Sequence, residues 1–491
     1  VSEFTVVIVG AGFSGTMVAA HLLRTGGARR RVVLVEASGR LAAGMAYGTS
    51  SPSHLLNVPA GRMSAFPDND GHFLQHLQAS DPNVTGGTFA ARADYGAYLR
   101  TVLDAAAEDG ARFGHTLHTI FDEVTAVEVN DESRAATVTF ANSPSITADR
   151  VVIAVGNLPP ANPPIADRSF YASPRYIANP WAPEALTRVR PGQPVVLIGS
   201  GLTMVDIALQ LSREHPSCTL HAMSRRGLLP QPHRAHGAPP SYGHFPPGLV
   251  GTAATAAGYL RAIRTHARTL ESEGIDWRET MGSLRPLTAR LWETLDTKQR
   301  ATFLRHGRAY WDAHRHRVAS SIADEFDTLR LTGKAHVFAA RLLAIDETDE
   351  GARVTFRPRG KQTTEVLLAG TVINCTGPEA DVRSTEHPLL RSLLERGLAR
   401  ADDLGLGIET DDQLGLVARN GAASPVLSLI GPQLKAQYWE ATAVPELRVF
   451  AARLAKHIVS TLESQPPEAR SSAIPRTVRG TPSAGAEAVR V

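Results

Sequence analysis

The sequence predicts an α/β fold in which one strand–helix–strand plan is used twice, with a helix-rich stretch inserted. Three observations predict it. Residues 4–10 (FTVVIVG) are a β-branched run ended by glycine, followed by a helix from about Ser14 to Arg24 and a second strand, RVVLVE, at 31–36. The same grammar returns at 194–199 (PVVLIG), in the helical run after it, and in CTLHAMSRR from Cys218. Residues from about Thr252 to Leu329 are rich in Ala, Leu and Arg with few β-branched runs, and read as helices. The expected architecture is therefore two Rossmann-like dinucleotide-binding domains with a helix-rich insertion.

The remaining elements follow in order. Residues 149–156 (DRVVIAVG) form a strand ended by Gly156, and 370–377 (GTVINCTG) one ended by Gly377. The proline-rich stretch 158–183 reads as a crossing between domains, since Phe170, Tyr171, Tyr176 and Trp181 supply surface to bury. Residues 230–248 are loop, and a strand pair is expected at 336–345 and 352–356. The boundaries implied are 1–160 for the first part of one domain and 161–345 for the second domain, with its helical insertion at about 250–330. The first domain resumes at 346–462, and 463–491, rich in Ser, Pro, Ala and Arg, is a disordered tail.

Gly10, Gly12 and Gly15 spell G-A-G-F-S-G between a strand and a helix. The first permits a tight turn, the second leaves room for a pyrophosphate, and the third lets the helix approach the sheet. Glu36 ends the next strand, where a carboxylate accepts hydrogen bonds from ribose hydroxyls. The second fingerprint begins Gly199 and Gly201 but has Met204 at its third position, so its helix must stand slightly further from the strand. Ser224, Arg225 and Arg226 occupy the place of Glu36, and a hydroxyl with guanidiniums suits a 2′-phosphate that an acid would repel. NADPH is thus expected over NADH. With Gly156 and Gly377 ending further strands, the plan is one in which the first unit holds FAD and the second delivers hydride to it. This pattern resembles the two-dinucleotide-binding-domain flavoproteins.

Composition narrows the alternatives. The 491 residues are too many for one core at roughly 100–200 per domain. A formal charge of +3 from 51 basic and 48 acidic residues comes with no basic stripe, so no nucleic acid is expected. Two cysteines, Cys218 and Cys375, lie far apart, which argues against a disulfide framework. No apolar run approaches the ~20 residues of a membrane span, and no cleavable leader is visible, so a soluble cytoplasmic protein is expected.

The stretch LLNVPAGRMSAFPD, 55–68, resembles flavin-containing monooxygenases. On that match Asn57 is the active-site asparagine near the reactive edge of flavin and nicotinamide, Pro59, Met63 and Pro67 shape the pocket wall, and Asp68 belongs to the same flavin-side cluster. Four blocks together are similar to a bacterial family of FAD/NAD(P)-binding proteins related to flavin-containing and N-hydroxylating (class B) flavoprotein monooxygenases. They are GMAYGTSSPSHLLNVPAGRMSAFPD from Gly44, SRRGLLPQPH from Ser224, YWDAHRHR from Tyr310 and WEATAVPELR from Trp439. The resemblance implies an NADPH-consuming oxidoreductase that forms a C4a-(hydro)peroxyflavin with O₂ and oxygenates a small nucleophile, such as an amine or amino acid. A flavin reductase or dehydrogenase without oxygen transfer, and an FAD-binding sensor, are the alternatives.

Near the C-terminus Gly431-Pro432 ends a strand, and residues 439–445 enter a helix with proline in its first turn. That helix N-terminus, with Thr442 beside it, would face the flavin pyrimidine, and Glu440 would cap amides or touch a substrate amine. His314 and His316, two apart on a helix, point away from each other and lack partner ligands, so no metal is expected. The arginines after Trp311-Asp312, Arg315 and Arg317, suit a substrate carboxylate or cofactor phosphate, with His314 and His316 in the same candidate substrate cluster and helix packing as the alternative; Arg285 is a further candidate of the same kind.

Overall fold

The computed structural model describes residues 3–49, 51–130, 132, 134–234 and 245–464. The expected tail lies outside them from residue 465 on, as do residues 235–244 of the loop at 230–248.

The strands run β1 (Phe4–Val9), β2 (Arg30–Val35), β3 (Thr116–Ile120), β4 (Val124–Asn130), β5 (Ala135–Phe140), β6 (Ile146–Ala148), β7 (Arg150–Ile153) and β8 (Tyr176–Ile177). Next come β9 (Val195–Ile198), β10 (Leu220–Ser224), β11 (Ala335–Thr348), β12 (Gly351–Pro358), β13 (Glu365–Ala369), β14 (Thr371–Asn374), β15 (Gly415–Val417) and β16 (Ala423–Leu429).

The first domain is a six-stranded sheet in the order β15-β16-β7-β1-β2-β3. All its pairs are parallel except β15 with β16. Such strands are covered on both faces, and the central ones are accordingly unbroken runs of Val, Ile and Leu. The helix Phe13–Arg24 packs between the helices Arg92–Ala111 and Val444–Glu463. An antiparallel sheet, β4-β5-β6, lies against β1 and β7.

The second domain carries a seven-stranded sheet, β13-β12-β11-β10-β9-β14-β8. The sequence reading returns the chain to the first domain at residue 346, but the strands return later. β11 pairs with β10 in parallel through Ala339, then runs on and folds back as an antiparallel meander with β12 and β13. β14 inserts between β9 and β8, so Thr371–Asn374 belongs to this sheet as well. We therefore draw the boundary after Thr376. Phe170 and Tyr176 of the first crossing are buried against this meander, as their aromatic content suggested.

The two fingerprints are built alike. Gly10 (φ +105°) and Gly199 (φ +119°) sit in a backbone region that disfavours side chains, and a Cβ on either would lie 2.3 Å from a carbonyl oxygen, of Ala154 or Cys375 respectively. Each glycine thus lets its strand end press against the neighbouring strand's end. A Cβ at Gly15 would fall 1.8 Å from Gly10 O, whereas Met204, its counterpart, is fully buried in the second core. One at Gly201 would meet nothing within 4 Å.

Gly15→Ala is expected to cost about 3 kcal/mol, because the clash is with backbone that cannot rotate away. Gly201→Ala should leave stability unchanged and lower nucleotide affinity. Chemical denaturation of both variants checks this, and equal stability losses would contradict it.

Candidate active site

The helix Phe13–Arg24 starts at Gly12 with no side-chain cap, so its first-turn amides are available to an anion. An ideal Cβ on Gly12 would lie 3.6 Å from Gly44 Cα, and one on Gly431 3.6 Å from Ser14 Oγ. Glycines from three segments therefore line one groove over the helix start. Glu36 is 9% exposed and is pinned at the end of β2 by the amides of Ala11 (3.1 Å) and Ser38 (2.8 Å). An ADP moiety fits this cradle: phosphates over Gly12, ribose at Glu36. Gly156 follows β7 with open space where a Cβ would stand.

Beyond the groove lies a cavity of ≈ 310 Å³. It is bounded by both crossings between the domains, through Asn157, Leu158, Gly377 and Pro378. Of the residues expected at the reacting end, Asn57, Met63, Arg285, Arg315, His316, Glu440 and Thr442 line it together. The helix Val444–Glu463 has no side-chain cap and opens onto it through Ala443 and Val444. A flavin ring fits this wall, with the uncapped helix start offering partial positive charge.

Five expected residues lie elsewhere. Asp68 is exposed and does not line the cavity. His314 lies in a separate apolar cavity of the helical insertion, edge-on to Trp277 at 5.0 Å, with Nδ1 directed at Tyr310 O. The helix Arg308–Arg315 ends at this point, which sends His314 one way and Arg315 to Arg317 the other. Ser224, Arg225 and Arg226 are at the tip of β10, away from the cavity. Among the described residues no cluster of three or more His, Cys, Asp and Glu is arranged to hold a metal.

The cavity is dominated by arginine. Arg92 pairs with Asp206 at 2.6 Å, joining the first domain to the second, and donates to Leu55 O. Arg234 pairs with Glu279 at 2.7 Å, and Arg285 holds both oxygens of Glu446 at 2.6 Å. Glu440 is 4% exposed and receives Trp311 Nε1 at 3.0 Å, with Arg315 as ion-pair partner at 3.0 Å. That contact is too bent for a hydrogen bond, so Arg315 Nε and Nη2 remain buried donors. Burial raises the Glu440 carboxyl, but Arg315, His316 and Arg285 outweigh it and hold the group ionised.

Arg317 differs from these. It is 6% exposed, and among the described residues no carboxylate lies within 4.0 Å of it. Burial, then Arg315 and Arg278, push its guanidinium down to about 10. His233 donates from Nε2 to Asn57 O at 3.0 Å and so fixes the asparagine's backbone from the other domain. Sequence reasoning passed over Arg92, Asp206, His233 and Arg234. Only His233 carried a signal, as the last residue of SRRGLLPQPH.

Comparison with known proteins agrees with this geometry. Residues 7–158 match the FAD-NAD(P)-binding family model, so this part of the chain is an FAD-NAD(P)-binding domain. The chain is 27% identical over 280 residues to an L-aspartate N-monooxygenase (nitrosuccinate-forming) of Streptomyces davaonensis, covering 46% of this chain and 42% of that one. The match thus spans less than half the length of this curated relative. Among solved structures, ornithine hydroxylase from Pseudomonas aeruginosa superposes with TM-score 0.62 at 16% identity, covering 94% of this chain and 100% of its own. The FAD-bound cadaverine monooxygenase of Erwinia amylovora gives 0.63 at 12% identity, covering 99% and 100%. These likenesses establish the fold. No helix among the described residues is long and apolar enough to cross a membrane.

Two predictions follow from the site. Gly12→Val should yield a folded protein without FAD, since the branched side chain fills the phosphate groove; a yellow, loaded variant would contradict the cradle. The second concerns pH. His233 and His54 are both pushed down to about 4, by burial first and then by Arg317 and Arg92 respectively. Unfolded, each titrates near 6.5, so the stability they contribute is full above that pH and is lost as pH falls toward 4. The difference in stability between wild type and His233→Gln should change by about 3 kcal/mol between pH 7 and 4. A flat difference would mean that the folded protein protonates His233 freely.

Proposed function

We propose that this chain is an FAD- and NADPH-dependent monooxygenase that uses O₂ to N-hydroxylate a small acidic amino acid. The observation that carries the reading is the arginine-lined cavity between two nucleotide-binding units, with Arg317 buried and, among the described residues, no carboxylate within 4.0 Å of it. A buried cation without a counter-ion is unfavourable, and a substrate carboxylate would relieve it. The relative from Streptomyces davaonensis, whose printed activity is on aspartate, supports the same charge preference.

A bound flavin would pass electrons from NADPH to dioxygen, and the protein's residues prepare the surroundings. Arg317 would hold a substrate carboxylate, with Arg315, whose Nε makes no hydrogen bond among the described residues, beside it. Glu440 would accept a hydrogen bond from the substrate amine and orient its nitrogen, while Arg315, His316 and Arg285 keep that carboxylate charged. Asn57, fixed through its backbone by His233, would present its amide to the reacting edge. The first-turn amides of Val444–Glu463 would stabilise negative charge at the cofactor. Met63, Leu56, Leu158 and Val444 form the apolar part of the wall and would exclude water. Cys218 and Cys375 are both free and buried, which fits the reducing cytoplasm we propose as the setting.

The test is aerobic NADPH oxidation by the FAD-loaded protein with L-aspartate, L-ornithine, L-lysine or cadaverine, followed by mass spectrometry. The acidic amino acid should yield an N-oxygenated product and the cationic amines should not. Arg317→Leu should lower kcat/KM for the acid by about 100-fold, the loss expected of a charge-assisted contact in a desolvated site. Consumption of NADPH that yields only hydrogen peroxide with every amine would overturn the reading in favour of an oxidase or reductase.

A further inference from the structure

The tip of the second nucleotide-binding unit contains a residue pair that the fingerprint did not indicate. Ser224 ends β10, and its register partner on β11 is Ala339. The amide of Arg359, the residue after β12, donates to Ala339 O at 2.7 Å. Ser224, Ala339 and Arg359 therefore stand side by side across three chain segments, although 135 positions separate the first from the last. From the helical insertion, Tyr310 reaches the same place. Arg226 lies over its ring, Cζ 4.9 Å from the centroid, and Arg226 Nη2 donates to Arg305 O at 3.1 Å.

Arg226 and Arg359 both stand close to Tyr310, and these cations, Arg226 foremost, lower the pKa of its phenol. The ring is 39% exposed, so the site is open to a ligand. Among the described residues, neither Arg226 nor Arg359 has an ion-pair partner. Two guanidiniums thus gather beside one phenol, with no carboxylate paired to either among the described residues. Arg225, by contrast, is exposed. The hydroxyl of Ser224 is already engaged by the amide of Gly227 (2.9 Å) and by Ser200 Oγ (2.7 Å), so it shapes the turn.

We propose that the adenosine 2′-phosphate is read by Arg226 and Arg359 together, with the Tyr310 hydroxyl beside them, and that Arg225 is dispensable. A phosphate monoester carries nearly two charges at neutral pH and accepts parallel N–H bonds from planar guanidiniums. It would sit between the two guanidiniums and supply the negative charge they lack. The inference rests on the reading that the second unit takes NADPH. It adds a specificity residue from the far meander of the sheet and one from the helical insertion.

The experiment is calorimetric titration of the full-length, FAD-loaded protein with adenosine 2′,5′-bisphosphate and with 5′-AMP, for wild type, Arg359→Ala, Arg359→Lys, Arg225→Ala and Tyr310→Phe. Wild type should prefer the bisphosphate. Arg359→Ala should weaken it by about 10- to 100-fold while changing 5′-AMP by no more than about twofold, and Arg359→Lys should recover part of the loss. Arg225→Ala should shift neither ligand by more than about threefold. Tyr310→Phe, which keeps the ring under Arg226 and removes the oxygen, should have a smaller effect on the bisphosphate than Arg359→Ala. If wild type prefers the bisphosphate and Arg359→Ala retains that preference, the assignment of Arg359 falls and the NADPH reading stands. If wild type binds both ligands alike, the NADPH reading falls and takes this inference with it.

Discussion

One domain set inside another forces the chain to cross between them twice at the same place. Here the outgoing and returning segments run side by side, bridged between Leu158 and Glu379. Asn374, fully buried, donates from Nδ2 to Ala161 O at 3.0 Å and accepts from the amide and hydroxyl of Thr376. This double crossing puts the C-terminal ends of β7 and β14 next to each other. Everything at the reacting end of the site depends on that juxtaposition, because those strand ends border both the first nucleotide groove and the cavity. The Arg92–Asp206 pair then sets the angle between the domains from the side. Asp206 is the costly partner: burial raises its carboxyl, and Arg92 only partly reverses this.

The helical insertion closes the cavity rather than extending the second domain outward. Trp292 stacks on Trp439 at 4.7 Å and donates from Nε1 to Ala436 O, Arg285 grips Glu446, and Trp311 meets Glu440. These contacts all join the insertion to the C-terminal part of the first domain. The short helix Arg308–Arg315 is the member that matters most to function. Tyr310 on it stands at the tip of β10, while Trp311 and Arg315 stand at Glu440. One rigid turn of helix therefore spans the distance between the proposed phosphate site and the proposed substrate site, which offers a physical route by which each could sense the other.

Electrostatics in the cavity follow from the same closure. Arginines gathered from four segments would repel one another in isolation. Acids from three different helices or loops, Glu279, Glu440 and Glu446, offset most of that charge. The remainder sits on Arg317, and burial first, then neighbouring arginines, lowers the pKa of His233 and His316, with Glu440 and Asp312 opposing this at His316. On the proposed reading, this surplus of positive charge is what receives the substrate's carboxylates.

How much of this the sequence determined follows from the range of the interactions involved. Both fingerprints, Glu36, the strand ends at Gly156 and Gly377, and the proline-led helix at Val444 are local: a few consecutive residues dictate a turn, a cap or a close approach, so spacing reveals them. Asn57, Met63, Glu440 and Arg285 were legible as candidates through short motifs, though no motif said they share a cavity. Asp68 shows the limit, since its motif is intact while the residue is exposed and does not line the cavity. Arg359, Arg92 and Asp206 have no local signature, because each acquires its role from a partner more than 80 positions away, whereas Arg317 stands at the end of YWDAHRHR and only the fold shows that it is buried. The return point at Thr376 was hidden for a similar reason, as β11 belongs to two pairings and only the register decides where the first ends. Local chemistry was set by neighbours along the chain; the location of charge was decided by the double crossing, which is a property of the folded whole.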